Sequence, residues 1–81
     1  MNFTGTIADV RTPAEFAQGH VPGSINIPLN ELPERITEFK QMQQPLLICC
    51  ASGIRSAQAT LILNQNGIPC NNAGSWMNIQ F

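Results

Sequence analysis

The sequence predicts a small α/β domain, in which a parallel sheet of about four strands is flanked by helices. Three observations lead to this fold class. Strand-like and helix-like segments alternate along the chain, as they do in parallel sheets. Leu46–Cys50 is a continuous apolar run, which is typical of a central strand covered on both faces. With 81 residues, the chain has room for one domain, predicted over residues 1–81.

The first part of the chain predicts a strand, a helix and a second strand. Thr6–Val10 reads as a strand, and Thr12 then opens the capping-box sequence Thr-Pro-Ala-Glu of a short helix that ends at Gly19. A turn over His20–Gly23 leads to a second short strand at Ser24–Ile27.

Helical periodicity appears next. Apolar residues recur at spacings of four and three: Leu32, Ile36 and Phe39. This period predicts a surface helix over Pro33–Gln41 that buries one stripe of side chains. Glu31 and Arg35 lie one helical turn apart, so we expect them to form an ion pair.

The segment after the central strand predicts one long helix and a last strand. Ser56 is the predicted N-cap of a helix over Ala57–Asn66. The inner face of that helix is formed by Ala59, Ile62 and Leu63. Ile68–Asn72 is the predicted last strand, and Ser75 is expected to cap a terminal helix that carries Trp76.

Composition and charge exclude several classes of protein. A hydrophobic fraction of 43% and a mean hydropathy of -0.02 fit a soluble globule. The longest apolar run has six residues, whereas a membrane span needs about 18. Four scattered basic residues against five acidic ones give a net charge of -1, which disfavours nucleic-acid binding. Met1–Asp9 lacks the features of a secretory signal, so a cytoplasmic location is expected.

Cysteine usage points to thiol chemistry. The three cysteines, Cys49, Cys50 and Cys70, are an odd number without framework spacing, so at least one thiol is expected to be free. Cys50–Ser56, called here the Cys50 loop, follows the predicted central strand, where parallel sheets bind their ligands. Backbone N–H groups of such a loop, together with the helix dipole, favour a thiolate, a persulfide or a bound oxyanion.

At this point the sequence resembles the rhodanese (thiosulfate sulfurtransferase) family. The Cys50 loop, Cys-Ala-Ser-Gly-Ile-Arg-Ser, looks like the family's active-site loop C-x-x-G-x-R-S. Asp9–Pro28 is similar to its longer signature D-V-R-x-x-x-E-[FY]-x-x-G-H-[IV]-x-G-[AS]-x-N-[IVL]-P. Ala73-Gly74 before Trp76 is a weaker match to the family's G-G and following Trp.

The resemblance implies a transfer of sulfur in two steps. Cys50 would be the catalytic nucleophile and would carry the sulfur as a persulfide, with no metal or organic cofactor. The implied substrate-binding residues are Ala51, Ser52, Gly53, Ile54, Arg55 and Ser56, and the implied supporting residues are Asp9 and Arg11. The implied donor is thiosulfate, polysulfide or a persulfide, and the acceptor is cyanide, a small thiol or a protein thiol. Neither nucleic acid nor membrane is an expected partner, and the chain is expected to act as a monomer.

The sequence also departs from the family pattern. Members usually begin with a further strand and helix, whereas here eight residues precede Asp9, so the domain looks like a trimmed version. Ala73 replaces the usual first glycine of the late motif, which would narrow the mouth of the site.

Single residues have simpler interpretations as well. Cys49 and Cys70 are expected in the core, and Trp76 in the core or at its rim. His20 is expected to be a hydrogen-bonded turn residue instead of a general base. Arg55 is expected either to orient an anion or to brace the loop, and Asp9 and Arg11 to brace neighbouring loops.

Two other functions compete with sulfur transfer. A phosphatase or arsenate reductase of the same fold has a loop one residue longer, and counting from Cys49 to Arg55 gives that spacing. Gly53 favours the shorter loop, because it stands three residues after Cys50. The other alternative is a non-catalytic rhodanese-like module that docks on a partner, although such modules commonly lack the cysteine.

Overall fold

The computed structural model describes residues 3–80, in which strands and helices alternate. The strands are β1 (Thr6–Asp9), β2 (Ile25–Asn26), β3 (Leu46–Cys50) and β4 (Asn71–Ser75). The α-helices are α1 (Pro13–Gln18), α2 (Ile36–Lys40) and α3 (Ile54–Gln65), with 3-10 helices at Leu29–Arg35 and Trp76–Asn78. Residues 1, 2 and 81, which belong to the predicted 1–81 domain and in part to the Met1–Asp9 segment, lie outside the described residues.

The described strands form one parallel sheet in the order β2-β1-β3-β4. The predicted fold class is therefore confirmed. The strand β3 is paired on both sides, with Cys49 opposite Asp9 of β1 and Cys50 opposite Ser75 of β4. Because all strands run the same way, the residues at their carboxyl ends meet at one edge of the sheet.

Alternation along β3 divides its side chains between two hydrophobic clusters. Leu46, Ile48 and Cys50 belong to the larger cluster, which also includes Phe39 and residues of α3. Cys49 belongs to a smaller cluster with Ile7 and Val21, against which Leu47 packs. The two adjacent cysteines therefore face opposite sides of the sheet, as strand geometry requires. The predicted core position of Cys49 is confirmed, since its residue is fully buried.

The start of α3 differs from the prediction. The helix begins at Ile54, with Gly53 as its N-cap in the left-handed region at φ 100° and no side-chain cap. Ser56 lies inside the first turn and is fully buried, so its predicted capping role is wrong. Its hydroxyl instead donates to Asn72 Oδ1 at 2.6 Å, so it does not cap the end of the helix.

No helix within residues 3–80 combines the length and apolar character that crossing a membrane requires.

The last strand also begins later than predicted, at Asn71 instead of Ile68. The Ile68 N–H closes the end of α3 by donating to the Leu63 carbonyl at 2.9 Å. Pro69 has no N–H to donate, so neither residue can supply a hydrogen to a strand ladder. After β4, Ser75 accepts from the Met77 N–H, which confirms a capped terminal turn that carries Trp76.

The predicted surface helix is divided into two parts. The 3-10 helix contains Pro33, and α2 then runs separately over Ile36–Lys40. The interruption lies at Arg35, whose backbone (φ -117°, ψ 22°) departs from helical geometry. The buried stripe nevertheless persists at Leu32 and Phe39. The predicted ion pair is confirmed, because Arg35 contacts Glu31 at 3.2 Å.

A buried ion pair lies at the carboxyl end of β1 and connects this strand to α1. Arg11 donates to both oxygens of Asp9, with contacts between 2.7 and 3.0 Å, and also to the Gly19 carbonyl at 2.7 Å. Asp9 is fully buried, and Arg11 is 4% exposed. The Arg11 guanidinium also lies 4.6 Å from the centroid of the Trp76 ring. These contacts join β1, the turn after α1 and the segment after β4.

We expect Asp9→Ala to lower the free energy of unfolding by roughly 3–5 kcal/mol, because it leaves the buried Arg11 guanidinium without its counter-charge. Urea unfolding of the purified variant measures this loss. Glu31→Ala is the matched control, since it removes a carboxylate from a solvent-exposed ion pair and should change the unfolding midpoint little. Equal effects of the two substitutions would contradict the structural role of the Asp9–Arg11 pair.

Candidate active site

The sulfur of Cys50 lies where hydrogen-bond donors of the Cys50 loop converge. The Gly53 N–H donates to Sγ at 3.0 Å, and the Ser56 N–H donates at 3.3 Å. The Ser56 Oγ is a further 3.3 Å contact of the same sulfur. The left-handed conformation of Gly53 turns the chain so that the loop closes around Sγ and α3 starts at once. We call Cys50, Gly53 and Ser56 the thiol cradle.

The thiol cradle favours the ionised form of Cys50. Burial acts against ionisation, but hydrogen bonds from the Ser56 hydroxyl and from the N–H groups of Ser56, Gly53 and Ser52 outweigh it. The pKa of Cys50 is therefore lowered from its ordinary value. The neighbouring Cys49 behaves in the opposite way, because burial and the charge of Asp9 raise its pKa to about 12. Of these two thiols, Cys50 has the environment that suits a nucleophile.

Asn72 of β4 forms hydrogen bonds with two residues of the thiol cradle, Gly53 and Ser56. Its Nδ2 donates to the Gly53 carbonyl at 3.1 Å, and its Oδ1 accepts from the Ser56 hydroxyl and from the Gly74 N–H. Sequence reasoning missed this residue. The sequence feature that indicates it is an asparagine two residues before a glycine. In this pattern the asparagine side chain accepts a hydrogen bond from the backbone N–H two residues later.

Glycines allow the Cys50 loop to approach β4 closely. A Cβ added to Gly53 would lie 3.3 Å from the Gly74 Cα, tighter than ordinary contact. Both glycines have left-handed φ values, 100° for Gly53 and 80° for Gly74, which residues with a side chain rarely adopt. Ala73, at the position where a glycine was expected, is half-buried against the smaller cluster.

Arg55 is paired with Glu15 of α1. Its guanidinium donates to both carboxylate oxygens, at 2.7 and 3.0 Å, and its side chain is 34% exposed. The Arg55 contact, together with hydrogen bonds from Thr12, lowers the pKa of Glu15 to about 2. This pair links the Cys50 loop to an element 40 residues away in the chain. The sequence indicates Glu15 only as the last residue of the Thr-Pro-Ala-Glu capping box, so its place beside the Cys50 loop was not predicted.

The remaining predicted residues lie at various distances from the sulfur. Ala51, Ser52 and Ile54 form the outer surface of the loop, with Ile54 70% exposed. His20 is confirmed as a hydrogen-bonded turn residue, since its Nδ1 lies 2.7 Å from the Phe16 carbonyl and its ring stacks on Phe16. Cys70 is half-buried against the larger cluster, and burial raises its pKa.

A shallow hollow of about 570 Å³ lies beside the terminal turn and is separate from the thiol cradle. Its lining is formed by His20, Val21, Pro22, Trp76, Met77, Ile79 and Gln80. Across residues 3–80, no three His, Cys, Asp or Glu side chains lie close enough together to hold a metal ion.

A cysteine thiol, held by loop amides at the carboxyl edge of a parallel sheet, defines a class of small α/β domains. Within this class the chain belongs to the rhodanese-like domain family, whose model matches residues 1–80.

Several members of the family are closely similar to this chain. A sulfurtransferase of Allochromatium vinosum is 41% identical over 61 residues, a match covering 75% of this chain and 56% of that protein. The thiosulfate sulfurtransferase PspE of Escherichia coli is 41% identical over 73 residues, covering 88% of this chain and 70% of PspE. A solved structure, a rhodanese with anions from E. coli, is 38% identical with a TM-score of 0.83, covering 94% of this chain and 92% of that one.

We expect the stabilising effect of the Glu15–Arg55 pair to disappear in acid. Folding lowers the pKa of Glu15 from 4.5 to about 2, so the pair stabilises the folded chain fully above the unfolded value. That contribution is lost as the pH falls from about 4.5 towards about 2. Glu15→Gln removes the charge but keeps a side chain suited to the capping box.

Urea unfolding of the native chain and of Glu15→Gln, measured across this range, tests the expectation. The difference in midpoint should be constant near neutral pH and should shrink in acid. Thr6→Ala, which removes a side-chain hydrogen bond to the Gln43 backbone carbonyl and none to a carboxylate, serves as a control whose effect should not follow the same titration. A difference that stays constant down to the lowest pH would contradict the assignment.

Proposed function

We propose that the chain is a sulfurtransferase in which the Cys50 thiolate takes a sulfane sulfur from a donor and passes it to a thiophilic acceptor. The observation that carries this proposal is the convergence of the Gly53 and Ser56 N–H groups on a single sulfur. Donors aimed at one atom stabilise negative charge there, both on a thiolate and on the sulfur chain that replaces it. Family membership and the sulfurtransferases among the relatives support the same activity.

In the first step, the Cys50 thiolate attacks the outer sulfur of thiosulfate. A new S–S bond forms to Sγ, the bond between the two sulfurs of thiosulfate breaks, and sulfite leaves with the electron pair. The product is a persulfide anion on Cys50. Loop N–H groups that already face Sγ need little rearrangement to accept the charge on the added sulfur.

In the second step, an acceptor attacks the terminal sulfur of the persulfide. Cyanide would leave as thiocyanate, and a thiol would leave as a new persulfide, with the electron pair returning to Sγ as the thiolate. The sequence of two displacements requires no metal or organic cofactor. The thiol cradle and its braces all come from one copy of the chain, so the proposal requires no partner subunit. Neither nucleic acid nor a membrane has a part in it, and a cytoplasmic setting fits a free thiol.

The geometry disfavours the phosphatase alternative. The longer loop spacing requires Cys49 as nucleophile, but Cys49 is buried on the opposite face of the sheet and its pKa is raised to about 12. Counted from Cys50, the loop is one residue shorter and closes on a single sulfur atom. A purely docking module is disfavoured as well, because such a role requires no donors on the Cys50 sulfur.

We expect Cys50→Ser to abolish sulfur loading while Cys49→Ser retains a substantial share of it. The reason is that only Cys50 lies in the thiol cradle, whereas Cys49 faces the other cluster. Intact mass after incubation with thiosulfate measures the loading as a gain of one sulfur. Addition of cyanide or dithiothreitol should remove the added mass.

Two outcomes would overturn the sulfurtransferase proposal. One is equal loss of loading in both cysteine variants when both remain folded. The other is hydrolysis of an aryl phosphate by the native chain at a rate well above that of Cys50→Ser. Cys70→Ser is the control for unspecific thiol modification and should load as the native chain does.

We expect Arg55→Ala to slow sulfur transfer roughly 10- to 150-fold, the effect of losing a charged hydrogen-bonded pair. Because the guanidinium is engaged by Glu15, its proposed role is to brace the loop. The loss should therefore be similar for thiosulfate and for an uncharged sulfur donor. Initial rates with both donors measure it.

The control for Arg55→Ala is Arg35→Ala, which removes an arginine from its two ion pairs with Glu31 and Glu38, away from the Cys50 loop. That variant should transfer sulfur at the native rate. If Arg55→Ala raised the Michaelis constant for thiosulfate alone, the guanidinium would be binding the sulfonate and the bracing role would be wrong.

A further inference from the structure

Asn72 does not contact the Cys50 sulfur itself, but it contacts residues that do. Its carboxamide contacts Gly53 at the carbonyl and Ser56 at the hydroxyl, and these are the two residues whose N–H groups donate to Sγ. The Gly53 carbonyl also accepts from the Ala57 N–H at 3.0 Å, so it has a partner within α3 as well. The contact with the Ser56 hydroxyl is therefore the one through which Asn72 has the most direct effect on the sulfur.

The Ser56 hydroxyl has one hydrogen and two neighbours that compete for it. Asn72 Oδ1 lies 2.6 Å from Ser56 Oγ, and Cys50 Sγ lies 3.3 Å away. While the sulfur is protonated, the Ser56 hydroxyl donates its hydrogen to Asn72 Oδ1, and its oxygen accepts a hydrogen bond from the Cys50 thiol. After ionisation the sulfur becomes the stronger acceptor, and the hydrogen can turn towards it. Ser56 is fully buried, which limits access of water to its hydroxyl.

We propose that Asn72 is a positioning residue that holds the Ser56 hydroxyl hydrogen away from Cys50 in the thiol and releases it to the sulfur in the thiolate. This role rests on the proposed sulfurtransferase activity, in which the thiolate is the attacking group. A thiolate that is stabilised too strongly is a poor nucleophile. By stabilising the thiol through Ser56, Asn72 offsets part of the effect of the loop N–H groups and keeps the sulfur reactive.

Few ionisable groups surround Cys50 in the described structure, so their influence can be separated from that of Asn72. Cys49 is its neighbour on β3, and Arg55 is its charged neighbour on α3. Glu15 of α1 neutralises Arg55, and the Asp9–Arg11 pair lies at the end of β1, where Asp9 is opposite Cys49. The strand β4, which carries Asn72, has no ionisable side chain. Substitution of Asn72 leaves all of these groups in place.

Two nearly isosteric substitutions should shift the ionisation of Cys50 in opposite directions. Asn72→Leu removes the acceptor, so the hydroxyl hydrogen of Ser56 is free for the sulfur. The pH midpoint of the thiolate should fall by about half a unit to one unit, the effect of one hydrogen bond. Asn72→Asp holds the hydrogen more strongly and adds a negative charge, so its midpoint should rise.

The ultraviolet absorbance of the thiolate measures these midpoints, after subtraction of the same variant carrying Cys50→Ser. Asn71→Leu is the matched control on an exposed neighbour and should leave the midpoint unchanged. In a Ser56→Ala background, Asn72→Leu should have little effect, because the two residues act through one contact. If Asn72→Leu does not fold, Asn72→Ala carries the same expectation.

Three results would overturn the proposal: no shift, a shift of both Asn72 variants in the same direction, or a full Asn72→Leu shift in the Ser56→Ala background. A general loosening of the loop would produce the second result. Since the titration involves no sulfur donor, it can fail while sulfur loading succeeds, or succeed while loading fails. Loading by intact mass, measured on the same samples, keeps the two proposals distinguishable.

Discussion

The position of β3 between β1 and β4 is the constraint on which the rest of the structure depends. Parallel pairing on both sides places its carboxyl end in the middle of the sheet edge, next to the ends of β1 and β4. Strand alternation then turns Cys50 towards α3 and Cys49 away from it. One backbone arrangement thereby gives two adjacent thiols opposite environments, with one pKa lowered and the other raised.

Around Cys50 the chain uses short-range and long-range contacts for different purposes. The donors to the sulfur come from within six residues of it, at Gly53 and Ser56. The residues that fix those donors come from elsewhere: Glu15 on α1 holds Arg55, and Asn72 on β4 holds Ser56. The loop thus supplies the chemistry, whereas the sheet and α1 supply its rigidity.

The sequence was sufficient to predict what depends on local pattern. The alternation of elements, the buried run of β3 and the Cys50 loop follow from periodicity and motif, and the parallel sheet confirms the fold class. The start of α3 at Ile54 was missed, because Ser56 looks like a cap and its true partner, Asn72, is 16 residues away. The pairing of Glu15 with Arg55 was missed for the same reason, since only the folded chain brings residues 40 apart into contact.

The Glu15–Arg55 and Asn72–Ser56 contacts also have a consequence for folding. A fragment that contains only β3, the loop and α3 would have the amides that face the sulfur but neither of the side chains that hold them. The ionisation of Cys50 therefore depends on the tertiary contacts that hold the loop as well as on the loop itself. Its midpoint can serve as an internal reporter of native assembly: local opening of α1 or β4 would register at the sulfur while β1 and β3 remain paired.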